Sequence, residues 1–140
     1  MIVDFDVHHG NGTQDIFYDD PSVLFVSTHL TGPYFYPGTG RLPEVGAGLG
    51  KGQTLNVPLP THVGDMGYDL LFHQVIYQKA LEFAPQMILA SIGFDAHWQD
   101  PLASAGLSLK GYAHLSRTLI SWARELCGGK ILFVLEGGYN

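Results

Sequence analysis

The chain has 140 residues, of which 46% are hydrophobic and 14% charged, so we expect one globular domain and not a disordered chain. The net charge of −6 argues against a nucleic-acid partner, which would require a basic surface. The apolar runs fall short of the roughly 20 residues of a membrane span, so a membrane partner is not expected either. We predict a cytoplasmic protein, and the sequence does not indicate its oligomeric state.

Short apolar runs alternate with longer segments of helical periodicity along the chain. Strands are predicted at residues 2–8, 23–28, 54–58, 86–92 and 130–135, and helices at residues 66–84 and 109–126. Several of the strands are apolar on both faces, which is typical of parallel strands between two layers of helices. The sequence therefore predicts an α/β fold with a mostly parallel sheet and helices on both faces. Ligands of such sheets bind beyond the carboxyl ends of the strands.

The first predicted strand carries an ionisable side chain at every second position. On a strand Asp4, Asp6 and His8 would share one face. Because Asp4 and His8 would be about 13 Å apart there, an ion could bind Asp6 and only one of these neighbours. Asp95 follows a buried strand and a glycine, and it is the best candidate for a ligand from another strand end. We favour a metal site over a polar face that hydrogen bonds alone satisfy.

Other residues near the strand ends give weaker signals. The loop at residues 31–52 is rich in glycine and proline, and its aromatic residues favour an ordered wall over a free linker. Tyr139 follows two glycines, so its phenol could turn into a site and donate a hydrogen bond to an oxyanion. His62 lies in another loop, and His73 and His114 lie in the predicted helices. We expect packing roles for all three.

Five motifs occur in one order along essentially the whole chain. They are "DFDVHHGNGTQ", "YPGTG", "NVPLP", "GFDAHWQDPLA" and "LEGGYN". Together they resemble the zinc-dependent histone deacetylases, especially the class II type and the bacterial histone deacetylase-like and acetylpolyamine amidohydrolases. The resemblance implies an arginase/deacetylase-like fold truncated at both ends, with residues 1–140 as one partial domain. It also implies hydrolysis of an acetylated lysine, in a protein or peptide, or of an acetylated polyamine to acetate and a free amine.

The same resemblance implies roles for single residues of this sequence. Asp6, His8 and Asp95 would be the zinc ligands, in agreement with the spacing argument. Tyr139 would help to polarise the acetyl carbonyl. A structural monovalent cation, K⁺, would bind at Asp4, Asp6, His8 and Ser27. The tunnel for the acyl-lysine would be lined by Tyr36 and Leu102.

Two further catalytic positions concern proton transfer. Asp4 and Asn11 match residues that orient two catalytic histidines in the family. Family members carry these histidines upstream of the "DxDxH" strand, in a part of the domain that we expect to lie outside this sequence. General acid-base catalysis contributes a factor of about 100 to 10,000, so we expect the 140-residue piece alone to be inactive or nearly so.

Two alternatives remain open from the sequence. The first is a two-manganese hydrolase of the arginase type, in which Asp4, His97 and Asp100 would help to hold a second ion. The second is a non-catalytic domain that holds zinc and binds acylated ligands. The ion is also open, because two carboxylates make a hard ligand set for which Fe²⁺ or Mn²⁺ could compete with Zn²⁺.

Overall fold

The computed structural model describes residues 1–139, in which five strands form one sheet. The strands are β1 (Ile2–Asp4), β2 (Phe25–Leu30), β3 (Thr54–Leu59), β4 (Ile88–Ile92) and β5 (Ile131–Leu135). Their spatial order is β3-β2-β1-β4-β5, and each neighbouring pair is parallel. The predicted parallel α/β fold is confirmed. Because β1 is central, its carboxyl end lies between the ends of β2 and β4.

Helices lie in three of the four connections between strands, and a loop with a short 3-10 helix (Gly48–Gly50) joins β2 to β3. The α-helices are α1 (Asn11–Phe17), α2 (Gly64–Leu71), α3 (Tyr77–Phe83) and α4 (Leu109–Cys127), and a π-helical segment (Phe72–Ile76) joins α2 to α3. The single helix predicted at residues 66–84 is thus three segments. Ser108 caps α4 as its hydroxyl accepts a hydrogen bond from the Gly111 amide at 3.1 Å. None of the helices within residues 1–139 is long and apolar enough to cross a membrane.

The apolar core lies on the face of the sheet that α2, the π-helical segment and α4 cover. Val3, Phe5 and Val7 are fully buried there. The Phe5 ring meets the Phe72 ring edge-on at 6.0 Å and the Tyr112 ring at 6.3 Å. Burial of such side chains contributes about 1.5 to 3 kcal/mol each, so this packing fixes the central strand and the start of the loop that follows it.

The opposite face is polar near the carboxyl ends of the strands. Asp4 of β1 is in register with Ser27 of β2, which is in register with Asn56 of β3. The Asn56 amide donates a hydrogen bond to Gln14 of α1 at 2.6 Å. This face is covered by α1 and by polar contacts, so helices flank the sheet on both sides.

The prediction that β1 continues to His8 is wrong, since the strand ends at Asp4. Beyond it, Oδ1 of Asp4 accepts a hydrogen bond from the Asp6 amide at 3.1 Å, and Oδ1 of Asp6 accepts one from the His8 amide at 2.8 Å. An aspartate that bonds the amide two residues ahead forms a turn and not a strand. The two turns direct Asp6 and His8 toward the end of β4.

Candidate metal centre

Asp6, His8 and Asp95 meet at the carboxyl ends of β1 and β4, and we name them the strand-end cluster. Nδ1 of His8 lies 3.1 Å from Oδ1 of Asp6 and 3.0 Å from Oδ2 of Asp95. One ligand atom from each residue lies within 4.8 Å of the others. Tetrahedral ligands at about 2.0 Å from an ion are about 3.3 Å apart, so the cluster matches one ion with little movement.

Backbone amides hold both carboxylates in this orientation. The Val7 amide donates to Oδ1 of Asp95 at 3.0 Å, which leaves Oδ2 facing His8. The Gly137 amide donates to Oδ2 of Asp6 at 2.9 Å. Because these donors belong to strand ends and turns, the ligand atoms are held by the fold and not by side-chain packing alone.

Gly93 and Gly137 lie directly against the carboxylates of Asp6 and Asp95, where a side chain would not fit. A Cβ at Gly93 would contact the carboxylate oxygens of Asp6 and Asp95 well inside van der Waals distance. A Cβ at Gly137 would contact Oδ2 of Asp95 in the same way. From the sequence, Gly93 is only a residue of the motif "GFD" that precedes Asp95. Its steric role becomes visible only in the structure.

The charge of the strand-end cluster calls for a cation. Asp95 is 0% exposed, and burial together with the nearby Asp6 carboxylate raises its pKa to about 6. Within residues 1–139, His8 is the one ion-pair partner of either aspartate. Two buried carboxylates and one imidazole carry net negative charge, which is costly without a counter-ion. The donor set and the glycine cradle therefore fit a divalent cation.

A cleft of about 720 Å³ opens above the cluster. Seven residues predicted from the sequence line it: Asp4, Asp6, His8, Asn11, Tyr36, Leu102 and Tyr139. Asp95 is fully buried and does not line the cleft, but its Oδ2 contacts His8, which does. The structure thus brings together the predicted catalytic, ligand and tunnel residues, apart from Ser27.

Ser27 lies beside Asp4 across the β1-β2 pairing and is fully buried. The Ser27 hydroxyl contacts Nδ1 of His29 at 3.0 Å, and Nε2 of His29 contacts the Gly40 carbonyl at 2.9 Å. Burial lowers the pKa of His29 to about 4, so its ring is neutral at pH 7 and Nε2 donates to the carbonyl. The Ser27 hydroxyl then donates to Nδ1 of His29. Ser27 therefore supports the loop at residues 31–52 through the bond of His29 to the Gly40 carbonyl.

Aromatic rings form the walls of the cleft. The Phe35 ring stacks on the His8 ring at a centroid distance of 5.3 Å and an angle of 14°. Tyr36 and Tyr139 present their rings edge-on to His8 at 6.1 and 6.3 Å. Phe35 and Tyr36 thus form an aromatic wall beside the imidazole, which suits contact with the aliphatic part of a ligand.

Asp100 supports two of the cleft residues at once. Its Oδ2 accepts from the Tyr139 amide at 3.2 Å, and its Oδ1 accepts from the Leu102 amide at 2.8 Å. The sequence interpretation considered Asp100 only as a ligand and missed this role, although an aspartate two residues before an amide is a known turn signal. Burial, followed by the Asp95 and Asp6 carboxylates, raises the pKa of Tyr139, so its phenol remains a proton donor.

A partly buried polar network holds the loop that carries Phe35 and Tyr36. Oε2 of Glu44 accepts from the Gln14 amide group at 2.8 Å and from the Gly40 backbone amide at 3.0 Å. His9 contacts Oε1 of Gln14 at 3.0 Å and the Thr39 hydroxyl at 2.8 Å. Sequence reasoning assigned no role to this network, because its members are far apart in the chain.

The residues of the arginase-type alternative do not form an ion site. Asp100 contacts backbone amides, and it shares with His97 a neighbouring groove of about 530 Å³. Asp4 lies in the cleft instead. Among the described residues, two groups of three side chains could hold an ion: Asp6, His8 and Asp95, and Asp69, His73 and His114. The predicted second ion therefore has no triad of its own beside the first.

Comparison with known proteins agrees with this geometry. The family model described as "Histone deacetylase domain" matches residues 1–140. The chain is 48% identical over 140 residues to "Histone deacetylase 14, chloroplastic" of Arabidopsis thaliana and 51% identical over 140 residues to "Histone deacetylase 10, chloroplastic" of Oryza sativa. The solved structure of the histone deacetylase Clr3 matches 99% of this chain and 23% of its own, with a TM-score of 0.90 and 43% identity.

The chain spans 33% and 31% of the lengths of the two plant relatives, although each alignment includes all of it. Their names also correct one expectation. A cytoplasmic location was the default prediction from the sequence, and it is contradicted, because both relatives are named as chloroplastic proteins.

Proposed function

Because the chain belongs to the histone deacetylase family, we propose that it forms the metal-binding part of an enzyme that hydrolyses acetylated lysine to lysine and acetate. One observation carries the proposal. The strand-end cluster brings two carboxylates and an imidazole to the floor of an aromatic cleft, and the Tyr139 phenol borders the same cleft. A binding domain would need no oxyanion donor at this position.

We propose that Asp6, His8 and Asp95 hold one Zn²⁺ ion, with Fe²⁺ or Mn²⁺ as competitors because two of the three ligands are hard carboxylates. The bound ion would supply Lewis acidity that polarises the acetyl carbonyl and lowers the pKa of a water molecule. His8 would bind through Nδ1, the atom that faces both carboxylates. The backbone donors of Val7 and Gly137 would keep the ligands in position when substrate enters.

The other cleft residues would position the substrate and stabilise its oxyanion. Tyr139 would donate a hydrogen bond from its phenol to the carbonyl oxygen as negative charge develops there. Phe35, Tyr36 and Leu102 would enclose the aliphatic part of the acyl-lysine side chain and exclude water from it. Asp100 would fix the distance between the phenol and this wall through the Tyr139 and Leu102 amides.

Proton transfer would require residues beyond those of the strand-end cluster. We propose that residues 1–140 are part of a single larger deacetylase domain, and that two histidines from another part of it act as general base and acid. Asp4 and Asn11, which line the cleft, would orient these histidines by hydrogen bonds. A K⁺ ion near Asp4, Asp6, His8 and Ser27 would be structural.

Two classes of acetylated substrate agree with the proposal. The family implies acetylated proteins, and an acetylated polyamine carries the same acetamide on an aliphatic chain. The negative charge of the chain favours a cationic carrier of either kind only weakly. Turnover of an acetyl-lysine peptide and of an acetylated polyamine, compared at equal concentrations in the full-length protein, distinguishes the two.

The test uses Tyr139→Phe in the full-length protein. Loss of one oxyanion donor should lower kcat by a factor of about 100 to 1,000, while zinc content and affinity for an acetylated peptide stay near the wild-type values. His62→Asn, in an exposed loop away from the cleft, is the matched control and should leave kcat unchanged. Unchanged turnover in Tyr139→Phe would contradict the enzymatic role. Two ions required for turnover would favour the arginase type instead.

A further inference from the structure

A second group of metal-ligand side chains lies on the helices, away from the cleft. Asp69 of α2, His73 of the π-helical segment and His114 of α4 each offer one ligand atom, and these atoms lie within 4.8 Å of one another. We name these residues the helix cluster. The sequence predicted only packing roles for the two histidines, which are 51% and 48% exposed.

Both imidazoles point the same nitrogen at the same oxygen. Nε2 of His114 lies 2.6 Å from Oδ1 of Asp69, and Nε2 of His73 lies 3.3 Å from that oxygen. Around a tetrahedral ion with bonds of about 2.0 Å, ligand atoms are about 3.3 Å apart. The pair of His73 and Asp69 has this spacing already, and the pair of His114 and Asp69 must open by less than about 1 Å.

The surrounding helices hold His73 in this direction. Its ring meets the buried Trp122 edge-on at 6.4 Å and lies 6.2 Å from the ring of His114. The π-helical segment begins one residue before His73, and such insertions shift the side chains of a helix relative to its regular spacing. The imidazole therefore faces α4, on the side where Asp69 and His114 lie.

The chemistry of these side chains selects the class of ion. Two imidazole nitrogens and one carboxylate oxygen suit Zn²⁺, Ni²⁺, Co²⁺ or Cu²⁺, whereas Ca²⁺ and Mg²⁺ prefer oxygen ligands alone. Three protein ligands leave a coordination position for water at this exposed surface. Lys110 lines the adjacent groove of about 280 Å³ and places one positive charge near the ion, which should weaken the site.

We propose that the helix cluster binds one divalent transition-metal ion, which links the helix formed by α2 and the π-helical segment to α4. This ion is separate from the one proposed for the strand-end cluster and does not take part in the hydrolysis. Because it bridges two helices that pack on the central strands, its binding should stabilise the folded chain.

Zinc titration of the metal-free, full-length protein by calorimetry tests this proposal. We expect wild type to bind one more zinc ion than His73→Ala and His114→Ala, because each variant keeps only two protein ligands at the helix cluster. His62→Asn should match wild type. Asp95→Asn should lose the ion of the strand-end cluster and keep the ion of the helix cluster, so the two sites can fail independently.

A second readout uses the melting temperature. Wild type and the double variant His73→Ala/His114→Ala first receive one equivalent of zinc. Excess zinc should then raise the melting temperature further in wild type than in the double variant. Because both positions are about half exposed, the variants should fold, which circular dichroism verifies. Equal zinc stoichiometry and equal melting shifts in wild type and in these variants would overturn the proposal.

Discussion

The strand-end cluster and the helix cluster have similar ligand spacing and opposite surroundings. The aspartates of the strand-end cluster are buried and bonded to backbone amides, and glycines border them. The side chains of the helix cluster are about half exposed on helices. Burial makes an uncompensated carboxylate costly, whereas water compensates an exposed one. We therefore expect the strand-end cluster to depend on its proposed ion and the helix cluster to tolerate the loss of its own.

The largest effect is expected for Asp95→Asn. Zinc binding at the strand-end cluster and turnover of the full-length protein should fall to background, measured by metal analysis and by acetate release. In the metal-free protein the same change should stabilise the fold by about 1 to 3 kcal/mol, because it removes a buried charge beside Asp6. The amide oxygen can still accept from the Val7 amide.

Asp69→Asn is the matched control for this change. It removes a carboxylate from the helix cluster, where water already compensates the charge, and denaturant unfolding of the metal-free protein should show little change. A stabilisation of similar size in both variants would mean that burial does not distinguish the clusters.

Gly93→Ala should have the next largest effect. The added Cβ would collide with the carboxylates of Asp6 and Asp95, so the turn or the ligands must shift. We expect a loss of about 1 to 3 kcal/mol in the free energy of unfolding and weaker zinc binding. Gly12→Ala in α1 meets no atom within 4 Å and should be neutral or slightly stabilising. Equal outcomes for the two variants would argue against the cradle.

Glu44→Ala tests the support of the aromatic wall. Its carboxylate bonds Gln14 and Gly40, so its loss should cost about 1 to 2 kcal/mol and should raise KM for an acetylated peptide more than it lowers kcat. Glu82→Ala, which removes an exposed ion pair with Lys79, should cost less than about 0.5 kcal/mol. Wild-type KM in Glu44→Ala would show that the wall does not depend on this network.

The smallest effect is expected for His114→Ala in the metal-free protein. Its exposed contact with Asp69 should contribute within about 0.5 kcal/mol to unfolding, and turnover should not change, because the helix cluster lies outside the cleft. Thermal unfolding and the deacetylase assay measure both. A loss of several kcal/mol would place this cluster in the same class as the buried one.

The sequence predicted the parts of the fold that depend on local pattern. Apolar runs and helical periodicity identified all five strands and α4, and Ser108 correctly marked where α4 begins. The sequence did not predict α1, because its first turn has no side-chain cap and it is only seven residues long. The π-helical segment was missed as well, because the buried residues Tyr68, Phe72 and Ile76 recur every four residues, a spacing that an ordinary α-helix also shows.

The candidate site was predictable where residue type alone suggests chemistry. Asp6 and His8 were chosen because they would share one face of the predicted strand, and Asp95 because a carboxylate after a buried strand is costly to desolvate. The strand argument for them was wrong in detail, since side-chain turns, and not strand alternation, direct Asp6 and His8. Contacts between distant segments, such as those of Glu44 and of His114, could not be predicted, because they depend on how the elements pack.

The two bonds of the Asp100 carboxylate link two sides of the cleft. The same side chain accepts hydrogen bonds from the backbone of Tyr139 and of Leu102, so a shift of the loop that carries Leu102 would also move the backbone of Tyr139. Under the proposed function, a substitution near Leu102 that alters the fit of the lysine side chain would therefore change the reaction rate as well. Tyr36, which approaches His8 from a different loop, can be varied without disturbing this link.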